Sequence, residues 1–167
     1  HIEGLTAMLS EQVNGTEKLI DPNIDALELG RQYSLEHFDC PLDVRVQASD
    51  AVGDQILMEG NAAVGLGCVY AGATVAAWYP ITPSTSVAEA FDMYCHKLRV
   101  DKETGKKKFA VIQAEDELAA IGMVIGANWN GARAFTATSG PGISLMSEFL
   151  GLAYFAEVPV VLSLIHI

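Results

Sequence analysis

Arg133-Ala-Phe-Thr-Ala-Thr-Ser-Gly-Pro-Gly-Ile-Ser-Leu-Met146 reads as a strand, a sharp turn and the opening of a helix. Phe135, Thr136 and Thr138 suit a pleated surface, while Gly140, Pro141 and Gly142 break the strand and pre-form a helix start. The helix is expected to run from Pro141 to Ala156. Working outward, the same unit recurs. Phe109-Ala-Val-Ile112 is a strand followed by a helix over Asp116–Asn128. Before it, Thr74-Val-Ala-Ala-Trp78 is a strand, and Pro83-Ser-Thr-Ser86 opens a helix over Val87–Leu98. Further upstream, Asn61 is expected to cap a helix that runs to Ala71 and stops at Gly72. The charged stretch Arg99–Lys108 around Gly105 reads as a surface loop or hairpin, and Val158–Leu164 as a fourth strand. Strands alternating with helices predict an α/β fold, a parallel sheet with helices on both faces. Ligands of such sheets lie beyond the carboxyl ends of the strands, so function is expected in the strand-to-helix turns.

The chain has 167 residues, half of them apolar, enough for one core and a partial second segment. Ten Lys+Arg against 21 Asp+Glu give a net charge of -11, which repels phosphate backbones and excludes nucleic acid as an expected partner. Lys18, Arg31 and Arg45 are the only basic residues before Glu59, whereas the signs nearly balance beyond it. Residues 1–57 are therefore expected to be an acidic segment and linker, with one short amphipathic helix near Asn23–Phe38 broken by Cys40-Pro41-Leu42. Residues 58–161 form the expected domain. Cys40, Cys68 and Cys95 are scattered, as are His1, His37, His96 and His166. That pattern points to reduced thiols, a cytoplasmic location and no metal site made by this chain. No apolar run is long enough to span a bilayer. The chain opens on His1 rather than Met, so the natural start is expected elsewhere.

Three turns carry candidate chemistry. In Tyr79-Pro-Ile-Thr-Pro-Ser84, two prolines stiffen the backbone on either side of Thr82. The turn is either a platform for a small polar ligand or a helix N-terminus with a Pro and a Ser/Thr cap. In Gln113-Ala-Glu-Asp-Glu117, Glu115 and Asp116 suit the positive end of a helix dipole. Beside Glu117, Leu118, Ala119, Ala120, Gly122 and Gly126 allow close packing and suggest a carboxylate partly withdrawn from water, but from spacing alone a helix-start carboxylate remains the plainer reading of Glu117 as well. In Thr136-Ala-Thr-Ser-Gly-Pro-Gly142, the glycines allow a ligand close to the backbone, and amides at the helix end could meet an anion. A tight turn with no ligand is the plainer alternative. No Lys follows those glycines as in a phosphate loop, and Gly65-Leu-Gly67 does not complete a dinucleotide fingerprint.

Taken together, Gly60-Asn-Ala-Ala63, Trp78-Tyr-Pro-Ile-Thr-Pro-Ser-Thr85, Glu115-Asp-Glu-Leu-Ala-Ala120, Thr136-Ala-Thr-Ser-Gly-Pro-Gly-Ile-Ser-Leu-Met146 and Glu157-Val-Pro-Val-Val161 resemble the pyrimidine-binding domain of thiamine-diphosphate enzymes. More narrowly they are similar to the alpha subunit of 2-oxoacid:ferredoxin oxidoreductases, the 2-oxoglutarate type in particular. The resemblance covers about Leu57 to Val161. Acetolactate-synthase-type enzymes share the helix-start Glu and the later T-S-G-P-G, but Tyr79-Pro-Ile-Thr-Pro83 tips the choice to the ferredoxin-linked family.

The resemblance implies oxidative decarboxylation of a 2-oxoacid to an acyl-coenzyme A, with electrons passed to ferredoxin. It makes Glu117 the coenzyme-activating carboxyl group, hydrogen-bonded to the aminopyrimidine ring. It gives Thr82 an orienting role at the 2-oxo acid group, on a substrate platform shaped by Tyr79, Pro80, Ile81 and Pro83. It places Thr138, Ser139, Gly140 and Gly142 beside thiamine diphosphate. No G-D-G…N run is present, and Gly53-Asp54-Gln55 is no substitute. Mg²⁺ and the iron–sulfur cluster are therefore expected on a beta subunit that shares the coenzyme, with this fragment inactive alone. In fused relatives a gamma-type domain precedes this one, so residues 1–57 would be its end plus the linker. Similar proteins follow the Pro-Val-Val strand with an Asp-x-Gln-Arg run. Here Leu162-Ser-Leu-Ile-His-Ile167 matches a translated transposon-end adapter and is read as a foreign tail that truncates the domain. The alternatives from other classes are a non-catalytic pyrimidine-type domain serving as a structural or regulatory binding module, and a small-molecule-binding α/β domain with no thiamine role. A degenerate module is expected to have lost Glu117 or Thr82, and both are present.

Overall fold

The computed structural model describes residues 2–13, 17–39, 44, 46–47 and 49–165. The chain divides into two compact units, residues 1–53 and 54–167.

The first unit contains α1 (Ile2–Gln12) and α2 (Glu17–His37). This corrects the expectation of a linker with one short helix. Helix α2 begins well before Asn23 and passes through Pro22, whose missing N–H removes only one helical bond near the start. Side chains reinforce the helix one turn apart: Asn23 Nδ2 donates to the Leu19 carbonyl and Gln32 Nε2 to Glu36 Oε1. The helix expected near Asn23–Phe38 is thus observed as the greater part of α2, with Leu29 and Leu35 exposed to water. The expected break at Cys40-Pro41-Leu42 lies outside the described residues.

The second unit runs α3 (Gly60–Tyr70), β1 (Val75–Trp78), α4 (Thr85–Leu98), β2 (Ala110–Gln113), α5 (Glu117–Trp129), β3 (Ala134–Thr138), α6 (Gly142–Phe155) and β4 (Val161–Leu164). The strands form one parallel sheet in the order β2-β1-β3-β4. Its two faces follow from period-two alternation. Ala76, Phe135 and Ala137 pack with Val69 of α3 and with Val87, Phe91 and Cys95 of α4. Ala77 and Ala134 pack instead with Val124 of α5, while Ile121 and Ile125 of α5 meet Met146 and Ala153 of α6. The expected α/β fold, with helices covering both faces, is the one observed.

Helices α3 and α4 approach closely at Gly65. A β-carbon there would stand 2.8 Å from the Phe91 nitrogen and 2.9 Å from the Ala90 β-carbon. Burial pushes the Cys68 thiol up, and it pushes the Cys95 thiol up to about 11, against the pull of nearby Arg99. The charged stretch Arg99–Lys108 is the expected hairpin, closed by an antiparallel bridge between Val100 and Lys107.

Two local expectations are corrected. Asn61 does not cap α3; Glu59 occupies that position, and the Asn61 amide reaches instead to Pro83 and Ser86. Strand β4 starts at Val161 rather than Val158. The Val158 N–H closes the end of α6 on the Ala153 carbonyl, and Pro159 has no N–H to offer a ladder.

Candidate active site

Strand order reverses between β1 and β3, because β2 lies on one side of β1 and β3 on the other. Such a switch point opens a crevice beyond the carboxyl ends of the two strands. The turns that follow β1 and β3, 79–84 and 139–141, both arise there. They are joined directly: Ser139 Oγ donates to the Thr82 carbonyl at 3.0 Å. Ser139 is buried, while Thr82 is exposed.

The β1 turn is tightly held. The Ser84 and Thr85 amides both donate to the Ile81 carbonyl, and Ser84 Oγ adds a third bond at 2.9 Å. The Thr82–Pro83 peptide is cis. Tyr79, Pro80, Ile81, Thr82 and Pro83 lie on the surface or half-buried, so the predicted platform is accessible.

Glu117 is the first residue of α5, directly after the Asp116 cap, whose carboxylate accepts from the Ala119 amide at 2.6 Å. This accounts structurally for Asp116. It leaves Glu117 unexplained, since that residue is only 7% exposed and its carboxylate has no hydrogen bond or ion pair among the described residues. The Glu117 oxygens are not among the fully enclosed polar atoms, so the carboxylate keeps an opening through which a ligand could supply a donor. Its surroundings form a cradle. A β-carbon added at Gly142 would lie 3.1 Å from Glu117 Cγ and 3.3 Å from Glu117 Oε1, and it would overlap Thr138 Oγ1. The hydroxyls of Thr136 and Thr138 are fully buried and without a partner among the described residues. Both point from β3 to the same face as Ala134, the face that α5 covers.

The structure thus brings Glu117, Thr138 and Gly142 together, and separately joins Ser139 to Thr82. Gly140, with φ 44°, makes the bend between them and is exposed. The Gly142 amide donates to the Ser139 carbonyl, so it is not free to hold an anion. An acidic acceptor, an unpartnered hydroxyl and a missing side chain fit a flat ring carrying a hydrogen-bond donor, as the aminopyrimidine of thiamine does. Among the described residues no cluster of His, Cys, Asp and Glu could hold a metal ion. No helix among them is long and apolar enough to cross a membrane. Asn61 belongs to the neighbourhood of the site but was read from sequence as a cap; its placement in Gly60-Asn-Ala-Ala63 was the only signal.

Residues 66–166 match the family model described as pyruvate flavodoxin/ferredoxin oxidoreductase, thiamine diphosphate-binding. The alpha subunit of 2-oxoacid:ferredoxin oxidoreductase 2 from Aeropyrum pernix is 37% identical over 170 residues, covering 98% of this chain and 26% of the relative. The 2-oxoglutarate synthase subunit KorA of Methanocaldococcus jannaschii is 48% identical over 104 residues, 62% of this chain and 26% of that protein. A solved structure of the 2-oxoglutarate:ferredoxin oxidoreductase from Magnetococcus marinus, with 2-oxoglutarate, coenzyme A and succinyl-CoA bound, superposes with a TM-score of 0.70 at 34% identity, over 96% of this chain and 27% of that one. The chain thus spans about a quarter of the length of these relatives. With its parallel sheet, the strand-order reversal between β1 and β3 and the match over most of its length, the chain belongs to the thiamine-diphosphate-binding family of pyruvate flavodoxin/ferredoxin oxidoreductases.

Proposed function

We propose that this chain is the coenzyme-activating part of the alpha subunit of a 2-oxoacid:ferredoxin oxidoreductase acting on 2-oxoglutarate. In this reading the enzyme converts the 2-oxoacid to an acyl-coenzyme A and passes the electrons to ferredoxin. The observation that carries the reading is Glu117, a residue only 7% exposed whose carboxyl group lies against Gly142 beside the unpartnered Thr138 hydroxyl, with no hydrogen bond or ion pair of its own among the described residues.

Bound thiamine diphosphate supplies a carbon nucleophile for the 2-oxo carbon and a sink for the electrons left by carbon dioxide. The protein's part is to hold and to orient. Glu117 would place its carboxyl group at the edge of the pyrimidine ring and exchange a proton with it there, from the rigid first turn of α5. Thr138 offers its hydroxyl beside Glu117, and Gly142 leaves the room that a side chain would fill. On the other side of the crevice Thr82 orients the 2-oxo acid group, on the platform of Tyr79, Pro80, Ile81 and Pro83. Mg²⁺, the diphosphate contacts and the iron–sulfur cluster belong to a beta subunit. The preference for 2-oxoglutarate is supported by the names of the KorA relative and of the Magnetococcus enzyme.

The test is a substrate panel on the full-length alpha subunit purified with its partner. Viologen reduction should require thiamine diphosphate and coenzyme A, and 2-oxoglutarate should outrun pyruvate and branched-chain 2-oxoacids in kcat/KM. A preference for pyruvate would correct the substrate. Absence of thiamine-dependent turnover with every 2-oxoacid would remove the enzymatic reading.

A further inference from the structure

Thr82 stands on a turn in which three consecutive carbonyls are each held by a side chain. The Ile81 carbonyl accepts from Ser84 Oγ at 2.9 Å, and the Thr82 carbonyl from Ser139 Oγ at 3.0 Å. The Pro83 carbonyl accepts from Asn61 Nδ2 at 2.9 Å and from Ser86 Oγ at 3.1 Å. Asn61 Nδ2 also donates to Ser86 Oγ at 2.7 Å, which closes a three-membered network around the Pro83 carbonyl.

Pro80 and Pro83 fix the backbone angles of the turn but contribute no N–H groups of their own. The Ser84 and Thr85 amides hold the Ile81 carbonyl from within the turn, and Ser139 and Asn61 tie the turn to other elements. Asn61 reaches it from α3, an element outside the strand-turn-helix unit that carries Thr82. Capping does not account for this side chain, because Glu59 is the cap residue of α3. Packing does not need it either, since α3 is already fastened to α4 by the close approach at Gly65 and by Val69 against the Phe91 cluster.

Resting on the function proposed above, we propose that Asn61 is a positioning residue for the 2-oxoacid. By holding the Pro83 carbonyl it fixes the orientation of Thr82, without touching substrate or coenzyme itself. An amide is suited to the task because it supplies two N–H donors, one for the carbonyl and one for Ser86. Asp has the same shape and no donor. The displaced Thr82 should weaken substrate binding while the Glu117 side of the crevice, held by α5 and α6, keeps its geometry.

The experiment compares Asn61→Asp and Asn61→Ala in the full-length alpha subunit purified with its partner. Wild-type complex must first show thiamine-dependent viologen reduction with a 2-oxoacid; failure at that step sinks the proposed function and not this inference alone. Given that activity, each variant should raise KM for the 2-oxoacid about tenfold. Both kcat and the dissociation constant for thiamine diphosphate should stay within about twofold. In a Thr82→Val background, Asn61→Asp should add no further rise in KM, because the effect is transmitted through Thr82. Unchanged KM, or a loss confined to kcat and melting temperature, or additivity with Thr82→Val overturns the inference. So does failure of both Asn61 variants to assemble, which would make Asn61 a folding residue.

Discussion

A β-carbon on residue 142 has no room, since it would run into Thr138 Oγ1 and press on Glu117 Cγ at 3.1 Å. Gly142→Ala should therefore push Glu117 out of its cradle. Overpacking of this kind costs about 1–3 kcal/mol, read as a lower denaturation midpoint, and coenzyme affinity should fall with it. Normal affinity for thiamine diphosphate in Gly142→Ala would argue against the cradle. A second residue-scale expectation concerns Cys95, whose thiol burial raises to about 11 from an ordinary value of 9.0. The unfolded chain ionises first, so the contribution of this group is intact below pH 9 and declines as the pH rises towards 11. Cys95→Ala should flatten the alkaline loss of stability relative to wild type. An identical slope in the two proteins would contradict the assignment. At this scale the sequence was informative through its motifs taken together rather than through any one residue's neighbours. Local pattern left Glu117 as a helix-start carboxylate, and the resemblance of the combined motifs gave it a role, whereas the Asn61 bonds to Pro83 and Ser86 span more than twenty residues and leave no local mark.

At the scale of elements, helix ends explain most of what was legible. Helices α3 and α5 close with left-handed Gly72 and Gly131, each with the paired bonds of a Schellman turn, and both stops are marked by glycine in the sequence. Helix α6 closes the same way on Glu157, whose φ is 54°. Only the Pro159 that follows betrays that end, which is why β4 was read as starting too early. An L-residue in that conformation costs roughly 1–2 kcal/mol, part of which glycine returns to the unfolded chain as entropy. Glu157→Gly should consequently raise stability by about 0.5–1 kcal/mol in urea melts, and a decrease would contradict the reading. At the opposite end, Asp116→Ala removes the cap bond to Ala119 and should cost about 1 kcal/mol. Helix α1 and the first turns of α2 were not legible, whereas the spacing of Ile24, Leu27, Leu29 and Leu35 did mark the rest of α2 as the helix near Asn23–Phe38.

For the whole molecule, the parallel sheet and its covered faces followed from alternating patterns, but strand order did not. Nothing local tells that β3 pairs with β1 on the side away from β2, and that reversal is what sets the turns after β1 and β3 side by side. Residue 117 and the turn at 82 arise at different strand ends, and the fold alone turns them into one candidate site. The central claim is that Glu117 activates a coenzyme shared with a partner subunit. Its most direct measurement is 2-oxoacid-dependent viologen reduction by the full-length alpha subunit and its partner, wild type against Glu117→Gln. The account predicts a loss of roughly 10³-fold or more in kcat with assembly intact. Undiminished turnover in that variant would contradict it.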